Sequence, residues 1–561
     1  MTLTPVTERE SLWSSGRDIL GIGASDGWNA CERIVDRNAA SKPEALALIH
    51  RSYDGGRLDL TFGDLLNGVS RFAAALDYLG VVPGDRVFTL LEPVPELYYA
   101  ILGSIRVGAI AGPMFAAFGT EAVRDRLDDS GAKVLVTSAR HLAKVRPAVE
   151  HLAGLEHILV LGDESTELGG VERDLRGLLS AAPSERPPHP TEAQSPMLIH
   201  YSSGTTGKPK GVLHVHEAIV GHAATTRAVL DLRPDDIYWC TADPGWVTGT
   251  SYGIFGPWSL GVAQVAYTGG FAAGAWYSLL EEEGVTVWYT SPTALRMLKR
   301  DGTEVARAHD LSRVRHICSV GEPLNPEVIR WGVEAYSLTV HDTWWQTETG
   351  CMQIVNLPGT AVRHGSMGHP LPGVSAAVLS PESLTPLPPG KEGLLALKPA
   401  WPSMFRAYWG RQDLYDAKFA AGYYLTGDRA YADEEGYYWF VGRDDDVINT
   451  SGHLVGPFEI ESALLLHPAV VEAAAFPIPV EDAGEAVAAK VVLVAGAEES
   501  VALVRDLKTL VRRQVGPHAV PREVVVVDQL PRTRSGKIMR RVARAEHLGL
   551  PTGDLSGLEI D

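Results

Sequence analysis

Residues 201–211, YSSGTTGKPKG, combine the side chains and the backbone freedom that hold phosphate groups. Glycines let a backbone approach a ligand closely, and hydroxyl groups and lysines supply hydrogen bonds and positive charge to phosphate oxygens. Apolar residues 197–199 and 212–215 stand on either side, so the segment is expected to be a loop between two strands. We interpret it as a nucleotide-phosphate loop, and a plain Gly/Ser hairpin is the alternative.

The loop is not of the Walker A type. That pattern needs a glycine where this chain has Ser202, and a serine or threonine after Lys208, where it has Pro209. A proline there also prevents the loop from running straight into a regular helix interior. The phosphate groups are therefore expected to be held by another scheme.

Six further motifs follow this loop along the chain. They are DPGWVTG (243–249), SVGEP (319–323), DTWWQTETG (342–350), YLTGD (424–428), GRDDDVINTSGH (442–453) and PRTRSGKIMRR (531–541). The seven motifs, in this order, resemble those of the adenylate-forming superfamily, which includes acyl-CoA synthetases, luciferases and peptide-synthetase adenylation domains. The doubled tryptophan and the RSGKIMRR ending resemble acetyl-CoA synthetases in particular.

The resemblance implies an AMP-forming acetate–CoA ligase. Such an enzyme converts ATP, acetate and CoA into acetyl-CoA, AMP and diphosphate through an enzyme-bound acetyl-adenylate. It would use ATP with Mg²⁺, and CoA as co-substrate. Three alternatives stay open: a ligase of the same chemistry for propionate or another short acid, a non-catalytic nucleotide sensor, and a nucleic-acid-binding protein that uses the basic C-terminal segment.

The same resemblance assigns an ATP site. Its expected members are Ser203, Gly204, Thr205, Thr206, Gly207, Lys208, Gly321, Glu322, Pro323, Asp342, Thr343, Trp344, Trp345, Gln346, Thr347, Asp428 and Arg443. In this scheme Thr205, Thr206 and Lys208 hold the β- and γ-phosphates, and residues 321–323 and 342–346 line the adenine. Thr347 meets the α-phosphate.

Two carboxylates complete the expected site. Glu348 would ligate the magnesium of Mg-ATP, because one carboxylate plus phosphate oxygens suits this hard cation. Asp428 would accept hydrogen bonds from the ribose hydroxyls, and Arg443 would also reach the ribose. Taken without the resemblance, the segment around Glu348 could be a helix N-cap, Asp428 a turn cap and Arg443 a surface charge.

Lys537 is the residue expected to touch the carboxylate that is activated. Together with Thr205, Thr347 and Glu348, it makes up the predicted catalytic set. A lysine offers a compact charge that can bridge carboxylate and phosphate oxygens. Its surrounding sequence also resembles a target of protein acetyltransferases, so an acetyltransferase and a deacetylase that act on Lys537 are predicted partners. The alternative is a basic helix face.

By the resemblance to acetyl-CoA synthetases, Trp345 matches the tryptophan that closes the acyl pocket, and Val247, Thr248 and Val320 match its other walls. An indole is the largest side chain available, so the pocket would accept only a methyl or an ethyl group. Two stacked core tryptophans are the structural alternative. This inference gives the substrate: acetate is favoured, and propionate is expected to react less efficiently.

The remaining site predictions come from the resemblance alone. CoA would bind at Thr248, Ser451, Gly452, Arg512 and Arg146. Asp445 would be the hinge between the two domains. His467 would be a second metal ligand, although a histidine at a helix end is more often a cap.

One position departs from the pattern. Acetyl-CoA synthetases usually carry an arginine directly after the residue that matches His453, and here the residue is Leu454. A leucine donates no hydrogen bond, so one charge-assisted phosphate contact is missing. Weaker ATP binding, compensation by His453 or Lys208, and loss of activity are the three outcomes that follow, and compensation is favoured.

Composition bounds these interpretations. A chain of 561 residues with 45% hydrophobic and 21% charged residues is typical of a globular enzyme with two or more domains. The net charge of −19 argues against a general nucleic-acid binder. Four widely spaced cysteines, no signal peptide and no membrane span predict a reduced, cytoplasmic protein without nucleic-acid or membrane partners.

The elements that must position these residues follow an α/β pattern. Apolar runs at 45–49, 86–91 and 133–137 alternate with amphipathic segments, which predicts βαβ units in a large N-terminal domain with several subdomains, residues 1–444. Residues 445–561 are predicted to form a small α+β domain, which the resemblance implies is a mobile lid. Within it, helices are expected at 457–467 and 500–515 and strands at 490–494 and 523–527.

Overall fold

The computed structural model describes residues 9–23, 27–163, 165–202, 209–444, 446–450, 453–480, 484–532 and 538–552. The first elements are α1 (Arg9–Leu20), α2 (Arg37–Ser41), β1 (Leu46–Arg51), β2 (Arg57–Thr61), α3 (Phe62–Tyr78), β3 (Arg86–Leu90), α4 (Pro95–Arg106), β4 (Ile110–Pro113), α5 (Thr120–Ser130), β5 (Val134–Ser138), α6 (Leu142–Val149), β6 (His157–Leu161), β7 (Glu172–Asp174), α7 (Leu175–Ala181) and β8 (Pro196–Ser202).

The central part of the chain continues the alternation. It contains β9 (Lys210–Val215), α8 (Ala218–Val229), β10 (Ile237–Cys240), α9 (Val247–Thr250), α10 (Gly256–Ser259), β11 (Ala263–Tyr267), α11 (Ala273–Glu282), β12 (Val287–Thr290), α12 (Pro292–Asp301), α13 (Thr303–Arg307), β13 (His316–Ser319), α14 (Pro326–Tyr336) and β14 (Val340–Trp344).

Short strands dominate the rest of the chain. These elements are β15 (Ile354–Val355), β16 (His369–Pro370), β17 (Ala376–Leu379), β18 (Gly393–Leu397), β19 (Ala407–Tyr408), α15 (Gln412–Asp416), β20 (Phe419–Ala420), β21 (Tyr423–Ala432), β22 (Tyr438–Arg443), β23 (Ile448–Thr450), β24 (His453–Val455), α16 (Pro457–Leu464), β25 (Val470–Val480), β26 (Gly484–Leu493), α17 (Val501–Gln514), β27 (Glu523–Val526) and α18 (Arg540–Leu548).

Within the described ranges the strands form four sheets. The first has the order β16-β15-β14-β13-β12-β10-β11-β1-β2, and the second β19-β9-β8-β4-β3-β5-β6-β7. Their central strands pair in parallel, as β12 does with β13 and β3 with β5. The third sheet, β17-β18-β21-β20 with β22 beside β21, is antiparallel. The fourth contains β23 to β27 and carries α16 and α17 on its surface.

Burial explains the two large sheets. Every residue of β5 and of β12 is buried, as expected for parallel strands covered by helices on both faces. One buried cluster joins residues from both sheets and from the helices between them. A separate cluster made of α16, α17 and the fourth sheet forms the core of the C-terminal part. The α/β fold class predicted from the alternating pattern is confirmed.

The predicted elements lie close to the observed ones. The runs at 86–91 and 133–137 are β3 and β5, and the predicted helix at 500–515 is α17. The helix predicted at 457–467 ends earlier, at Leu464, because Pro468 disfavours a helical conformation in the residue before it. Within the described ranges, every helix is too short or too polar to traverse a lipid bilayer.

Candidate active site

The site is a cavity of about 1860 Å³. It lies at the carboxyl ends of β12, β13 and β14 and reaches across to β21, β22 and α18. The carboxyl ends of parallel strands are where α/β sheets bind ligands, because the loops that follow neighbouring strands meet there. All seven motifs identified in the sequence contribute described residues to this wall, namely those at 201–211, 243–249, 319–323, 342–350, 424–428, 442–453 and 531–541.

The loop after β13 contains Val320, Gly321, Glu322 and Pro323, all on the cavity wall. Gly321 has a φ of 95°, a conformation that favours glycine. The carboxylate of Glu322 is fixed from α12: Thr293 Oγ1 donates to Glu322 Oε1 at 2.6 Å, and Arg296 pairs with the other oxygen. The predicted adenine contact of Glu322 is therefore restricted to its backbone and its side-chain stem.

The strand β14 delivers Asp342 and Thr343 to the cavity. Thr343 Oγ1 donates to the Ser319 carbonyl oxygen at 2.8 Å, which ties β14 to the end of β13. Asp342 is 6% exposed, and burial raises the pKa of its carboxyl to about 8, although the Thr343 N–H opposes the shift. Asp342 is therefore largely protonated at neutral pH.

The two tryptophans after Thr343 serve different parts of the cavity. Trp344 is the last residue of β14 and donates from Nε1 to Asp428 Oδ2 at 3.0 Å. Trp345 donates from Nε1 to Tyr289 Oη at 3.1 Å, and its ring packs edge-on against Tyr252 with centroids 5.1 Å apart. Because their partners lie in different elements, the two indoles do not form the stacked core pair that was the alternative.

Trp345 is held in one orientation. It is 8% exposed, and its hydrogen-bond acceptor Tyr289 is itself bonded to Thr343 Oγ1 at 2.8 Å. Val247 and Val320 line the same cavity as the indole. Because a hydrogen bond and an edge contact fix this large aromatic ring, the shape of the cavity next to it can change little.

Asp428 lies on the opposite side of the nucleotide loops. Its Oδ2 accepts from Trp344 Nε1 and from Gln346 Nε2, both at 3.0 Å. Gln346 Oε1 accepts in turn from Tyr424 Oη at 3.0 Å. Arg443 Nε lies 3.8 Å from Asp428 Oδ1, so the two residues predicted to meet a ribose are neighbours.

Two neutral histidines form hydrogen bonds to the loop that carries Thr347 and Glu348. His214 Nε2 lies 2.9 Å from the Thr347 carbonyl oxygen, and His222 Nε2 lies 2.9 Å from the Gly350 carbonyl oxygen. Burial lowers the pKa of His214 to about 4 and that of His222 to about 3. Each ring is therefore neutral at pH 7 and donates its one N–H to a loop carbonyl.

Glu348 faces the cavity with one oxygen already engaged. Tyr408 Oη donates to Glu348 Oε1 at 2.8 Å. Among the described residues no group of three or more His, Cys, Asp or Glu could hold a metal ion by itself. A single oriented carboxylate fits a magnesium ion that arrives with phosphate ligands of its own, since that ion usually takes only one or two protein carboxylates.

Cations gather beside these carboxylates. Lys210, Lys418 and Arg443 line the cavity, and Lys210 Nζ lies 5.7 Å from the centre of the Tyr408 ring. Burial lowers the pKa of Lys418, and the nearby Arg443 and Lys210 lower it further, while Glu348 and Asp428 oppose the change. This concentration of positive charge lies in a chain whose net charge is −19.

The C-terminal part of the chain closes the cavity. Ile538, Met539 and Arg540 line it, and Asn325 Nδ2 donates to Ser462 Oγ at 2.9 Å across the two parts. Arg540 also pairs with Glu461 at 2.7 Å. The basic residues near the C-terminus therefore make contacts inside the protein.

The family of the chain follows from comparison with family models. The AMP-binding enzyme model matches residues 35–409, and the model of the AMP-binding enzyme C-terminal domain matches residues 459–537. The chain belongs to the AMP-binding enzyme family. This result confirms the superfamily that the seven motifs predicted.

Individual AMP-binding enzymes are similar over almost the whole chain. The chain is 47% identical to an acetyl-coenzyme A synthetase of Bacillus subtilis, over 99% of this chain and 96% of that protein. It is 40% identical to an acetyl-coenzyme A synthetase of Pyrobaculum aerophilum, over 90% of this chain and 80% of that one.

Two solved structures of the family share the fold. An acyl-CoA synthetase of Brucella canis is 36% identical and superimposes with a TM-score of 0.76, covering 97% of this chain and 99% of that one. An anthranilate CoA ligase, solved in complex with anthranoyl-AMP, is 27% identical with a TM-score of 0.86, covering 95% of this chain and all of that one.

Several residues predicted for this AMP-binding enzyme lie outside the described residues. They are Ser203, Gly204, Thr205, Thr206, Gly207, Lys208, Asp445, Ser451, Gly452 and Lys537. Their neighbours in sequence are informative, because Ser202, Pro209 and Ile538 all line the cavity. The predicted phosphate loop is flanked by β8 and β9, as expected for a loop between two strands.

Three predicted residues lie away from the cavity wall. Arg146 pairs with Glu172 at 2.9 Å, and Arg512 is exposed in the last turn of α17. His467 Nδ1 accepts from the Ala469 N–H at 3.2 Å, which is a capping contact. The CoA role of the two arginines and the metal role of His467 stay predictions from the resemblance.

Residues outside the seven motifs also support the site, and the sequence did not predict them. Tyr289 and Tyr252 fix Trp345, Tyr408 fixes Glu348, and Lys418 adds a cation to the wall. These residues come from four different segments, outside the motifs. Only Lys418 carries a signal that the sequence could have offered, since it stands ten residues before the motif aspartate Asp428.

Proposed function

We propose that this AMP-binding enzyme is an AMP-forming acetate–CoA ligase. One observation supports the proposal: Trp345, fixed by Tyr289 and Tyr252, lines the same cavity as Thr347 and Glu348. A small acid can therefore occupy the space between the indole and a nucleotide phosphate.

The reaction has two steps, each a displacement. An oxygen of acetate attacks the α-phosphorus of ATP, the bond from that phosphorus to the bridging oxygen breaks, and diphosphate leaves. The sulfur of CoA then attacks the acetyl carbon, the bond to the phosphate oxygen breaks, AMP leaves, and the thiol proton passes to water. Both steps bring anions together, so the site must supply cations and oriented donors.

Side chains of the described residues support the nucleotide assignments. Asp428 and Arg443 lie side by side where a ribose would be held. Thr347 would meet the α-phosphate and Glu348 the magnesium, on a loop whose carbonyl groups His214 and His222 restrain. A restrained loop places donors and a carboxylate with little reorganisation when charge develops, which is the main source of electrostatic catalysis.

Lys537 is proposed to touch the acetate carboxylate and the α-phosphate during the first step. The residues that follow it in sequence, Ile538 and Met539, line the same cavity as Trp345 and Glu348. In the second step the C-terminal part is proposed to turn about Asp445 and bring Ser451 and Gly452 to the thiol. Arg512 and Arg146 are proposed to meet the CoA phosphates.

The size of the acyl pocket favours acetate. One methylene changes the transition-state free energy by about 1–3 kcal/mol in a hydrophobic pocket, so propionate is expected to react about 10–200-fold less efficiently. A second candidate, a nucleotide sensor without ligase activity, is supported by Leu454, which stands where the resemblance leads us to expect an arginine.

Exchange of radioactive diphosphate into ATP, measured with straight-chain acids of two to six carbons, tests the proposal. We expect exchange with acetate, weaker exchange with propionate and none above background with hexanoate, followed by CoA-dependent release of AMP. Exchange that is strongest with a longer acid would overturn the pocket assignment. ATP binding without exchange for any acid would support the sensor.

The setting of the reaction is also a proposal. The four cysteines are all unpaired thiols, which suits the reducing cytoplasm. Acetylation of Lys537 by an acetyltransferase would remove the charge that adenylation needs, and a deacetylase would restore it. Mass spectrometry of protein isolated with low activity should then find acetyl groups on Lys537, and their absence would contradict this regulation.

A further inference from the structure

Lys418 lies in the turn between α15 and β20, and its backbone is anchored on both sides. Its N–H donates to the Tyr415 carbonyl oxygen at 3.0 Å, and its carbonyl oxygen accepts from Leu425 N–H at 2.8 Å. The following strand pairs with β21 through Phe419 and Tyr424. The position of Lys418 relative to the end of β21 is therefore fixed by main-chain hydrogen bonds.

The side chain turns inward, toward the loop of the YLTGD motif. A Cβ atom built on Gly427 would lie 3.7 Å from Lys418 Nζ and 3.6 Å from Arg443 Nη2. Two cationic groups thus converge on one glycine, directly before Asp428. A Cβ atom at 427 would be in ordinary van der Waals contact with both cations, and the φ of 82° at Gly427 favours glycine there.

Within the described residues, Lys418 Nζ forms neither a hydrogen bond nor an ion pair within 4.0 Å. Other lysines removed from solvent are paired: Lys490 Nζ lies 2.7 Å from Glu546 Oε2, and Lys133 Nζ lies 2.9 Å from Asp85 Oδ2. A partly desolvated ammonium group costs free energy unless an anion or several acceptors compensate it.

Neutral donors already engage one oxygen of each nearby carboxylate. Glu348 Oε1 accepts from Tyr408, and Asp428 Oδ2 accepts from Trp344 and Gln346. Both carboxylates still favour the charged form of Lys418, and Arg443 and Lys210 disfavour it. The ammonium group therefore lies between the predicted ribose side and the predicted magnesium side of the site, with room for an anion in the cavity it lines.

We propose that Lys418 binds the phosphate chain of the nucleotide. The proposal rests on the nucleotide site described under the proposed function and adds a residue to it. A compact ammonium group binds phosphate oxygens as a point charge, from any of several directions, which suits a chain of phosphates better than a ribose. The acyl pocket is walled by Trp345, Val247 and Val320, so the acid is not the anion that Lys418 would meet.

This assignment also bears on Leu454. The resemblance leads us to expect a phosphate-binding arginine at that position, and its absence removes one positive charge from the site. Compensation was attributed to His453 or Lys208 on the sequence alone. Lys418 is a third source of positive charge, carried by a part of the chain that is distant from residue 454 in sequence.

Nucleotide binding to the full chain tests the proposal, with acetate and CoA omitted. Titration calorimetry compares Mg-ATP with adenosine for the wild type, Lys418→Met, Lys418→Arg and the matched control Lys398→Met. Lys398 is exposed, and its Nζ lies 5.8 Å from the centre of the Tyr423 ring. We expect Lys418→Met to weaken ATP binding about tenfold and to leave adenosine binding unchanged, as loss of one charge-assisted contact predicts.

Lys418→Arg should bind ATP nearly as well as the wild type, and Lys398→Met should bind both ligands normally. Equal weakening of ATP and adenosine by Lys418→Met would show a structural role and overturn the proposal. Unchanged ATP affinity would overturn it as well. Because acetate plays no part, a sensor without ligase activity would still show the ATP effect, so this proposal and the proposed function can fail separately.

A second measurement needs no variant. Acetic anhydride labels accessible, uncharged lysine amines, and mass spectrometry reports the extent of labelling at each lysine. In the wild type, ATP should slow labelling of Lys418 about tenfold while adenosine leaves it unchanged, and Lys398 should label equally in both. Equal labelling of Lys418 with ATP and with adenosine would contradict a phosphate contact.

Discussion

At the proposed acyl end of the cavity the wall is built of rings and hydrogen bonds, whereas at the proposed phosphate end it is built of charges. Trp345 is fixed by Tyr289 and Tyr252, and Tyr252 Oη is itself bonded to Thr225 Oγ1 and to the Met352 N–H. At the other end, Lys418 and Arg443 flank a glycine and lie near carboxylates of the opposite sign.

The difference follows from what each end must recognise. Two acids that differ by one methylene differ by only about 1–3 kcal/mol, so a pocket that distinguishes them must have a fixed shape. Phosphates carry charge in many directions, and we expect the cations at the proposed phosphate end to be fully balanced only when a nucleotide is bound. We expect substitutions at the two ends to affect different substrates.

Lys537→Ala should have the largest effect, at the phosphate end. Loss of the proposed contact to the acetate carboxylate and the α-phosphate should lower acetate-dependent diphosphate exchange about 10²–10³-fold. Attack of CoA on supplied acetyl-adenylate should survive, because the lysine acts in the first step. The control is Lys508→Ala, since Lys508 Nζ donates to the Arg522 carbonyl oxygen at 2.7 Å in the same part of the chain. Equal loss in both steps would make Lys537 structural.

Trp345→Gly should have the next largest effect, and on the acid alone. Removing the ring opens space for a longer chain, so the ratio of kcat/KM for pentanoate to that for acetate should rise by about 10–200-fold per accommodated methylene. The apparent KM for ATP should stay within about threefold. Trp331→Gly removes another buried indole, 5% exposed and bonded to Thr303, that lies outside the cavity. A changed preference in that control, or none in Trp345→Gly, would refute the pocket.

His222→Gln tests the loop that joins the two ends. Burial lowers the pKa of His222 from its ordinary 6.5 to about 3. Between these two pH values the unfolded state binds a proton at this residue and the folded state does not. The contribution of neutral His222 to the free energy of unfolding is fully present above pH 6.5 and is lost as the pH falls toward about 3. Between pH 6 and 4, the free energy of unfolding of the variant should therefore depend less steeply on pH than that of the wild type, by up to about 1.4 kcal/mol per pH unit. Urea unfolding at several pH values measures it.

The control for this pH dependence is His151→Gln, because His151 is exposed. The free energy of unfolding of that variant should vary with pH as in the wild type. A glutamine at 222 retains a donor for the Gly350 carbonyl oxygen, so activity at pH 7 should change little. If the pH dependence of His222→Gln equals that of the wild type, buried neutral histidines are not what makes the loop sensitive to acid.

Leu454→Arg should have the smallest effect, again at the phosphate end. An added guanidinium group should lower the apparent KM for ATP about threefold without changing the acid preference, because other cations already compensate. Exchange assays with acetate and propionate measure both quantities. If the wild type shows no exchange and the variant shows it, the natural protein is a sensor. A shift in acid preference would mean that the two ends of the cavity are coupled.

Several parts of the fold could be predicted from local sequence. The apolar run at 86–91 contains β3, and the helix predicted at 500–515 is α17 (Val501–Gln514) with Ser500 as its N-cap, whose Oγ accepts from the Leu503 N–H. Both follow from periodicity and capping, which are local properties. A helix was predicted to reach residue 467 because its apolar residues continue at helical spacing to Leu465. The helix ends earlier, at Leu464, ahead of Pro468.

The site was predictable where a motif carries its own chemistry. Glu348 and Asp428 were predicted as cavity residues, and both line it. Residues 321–323 are predicted to line the adenine, and in the structure Thr293 and Arg296 of α12 engage the Glu322 carboxylate. Nothing in the segment SVGEP reveals that contact, because the partners belong to a helix about thirty residues away.

The sequence by itself determined the family of this protein, through the order of seven motifs, and it indicated the large side chain that is proposed to limit the acid. Only the tertiary structure decided how the two adjacent tryptophans are held, since Trp345 bonds to Tyr289 and Trp344 to Asp428, which belong to other strands. It also decided that Lys418 faces the cavity. Burial and charge balance depend on neighbours from the whole chain, and a local pattern of residue types does not contain them.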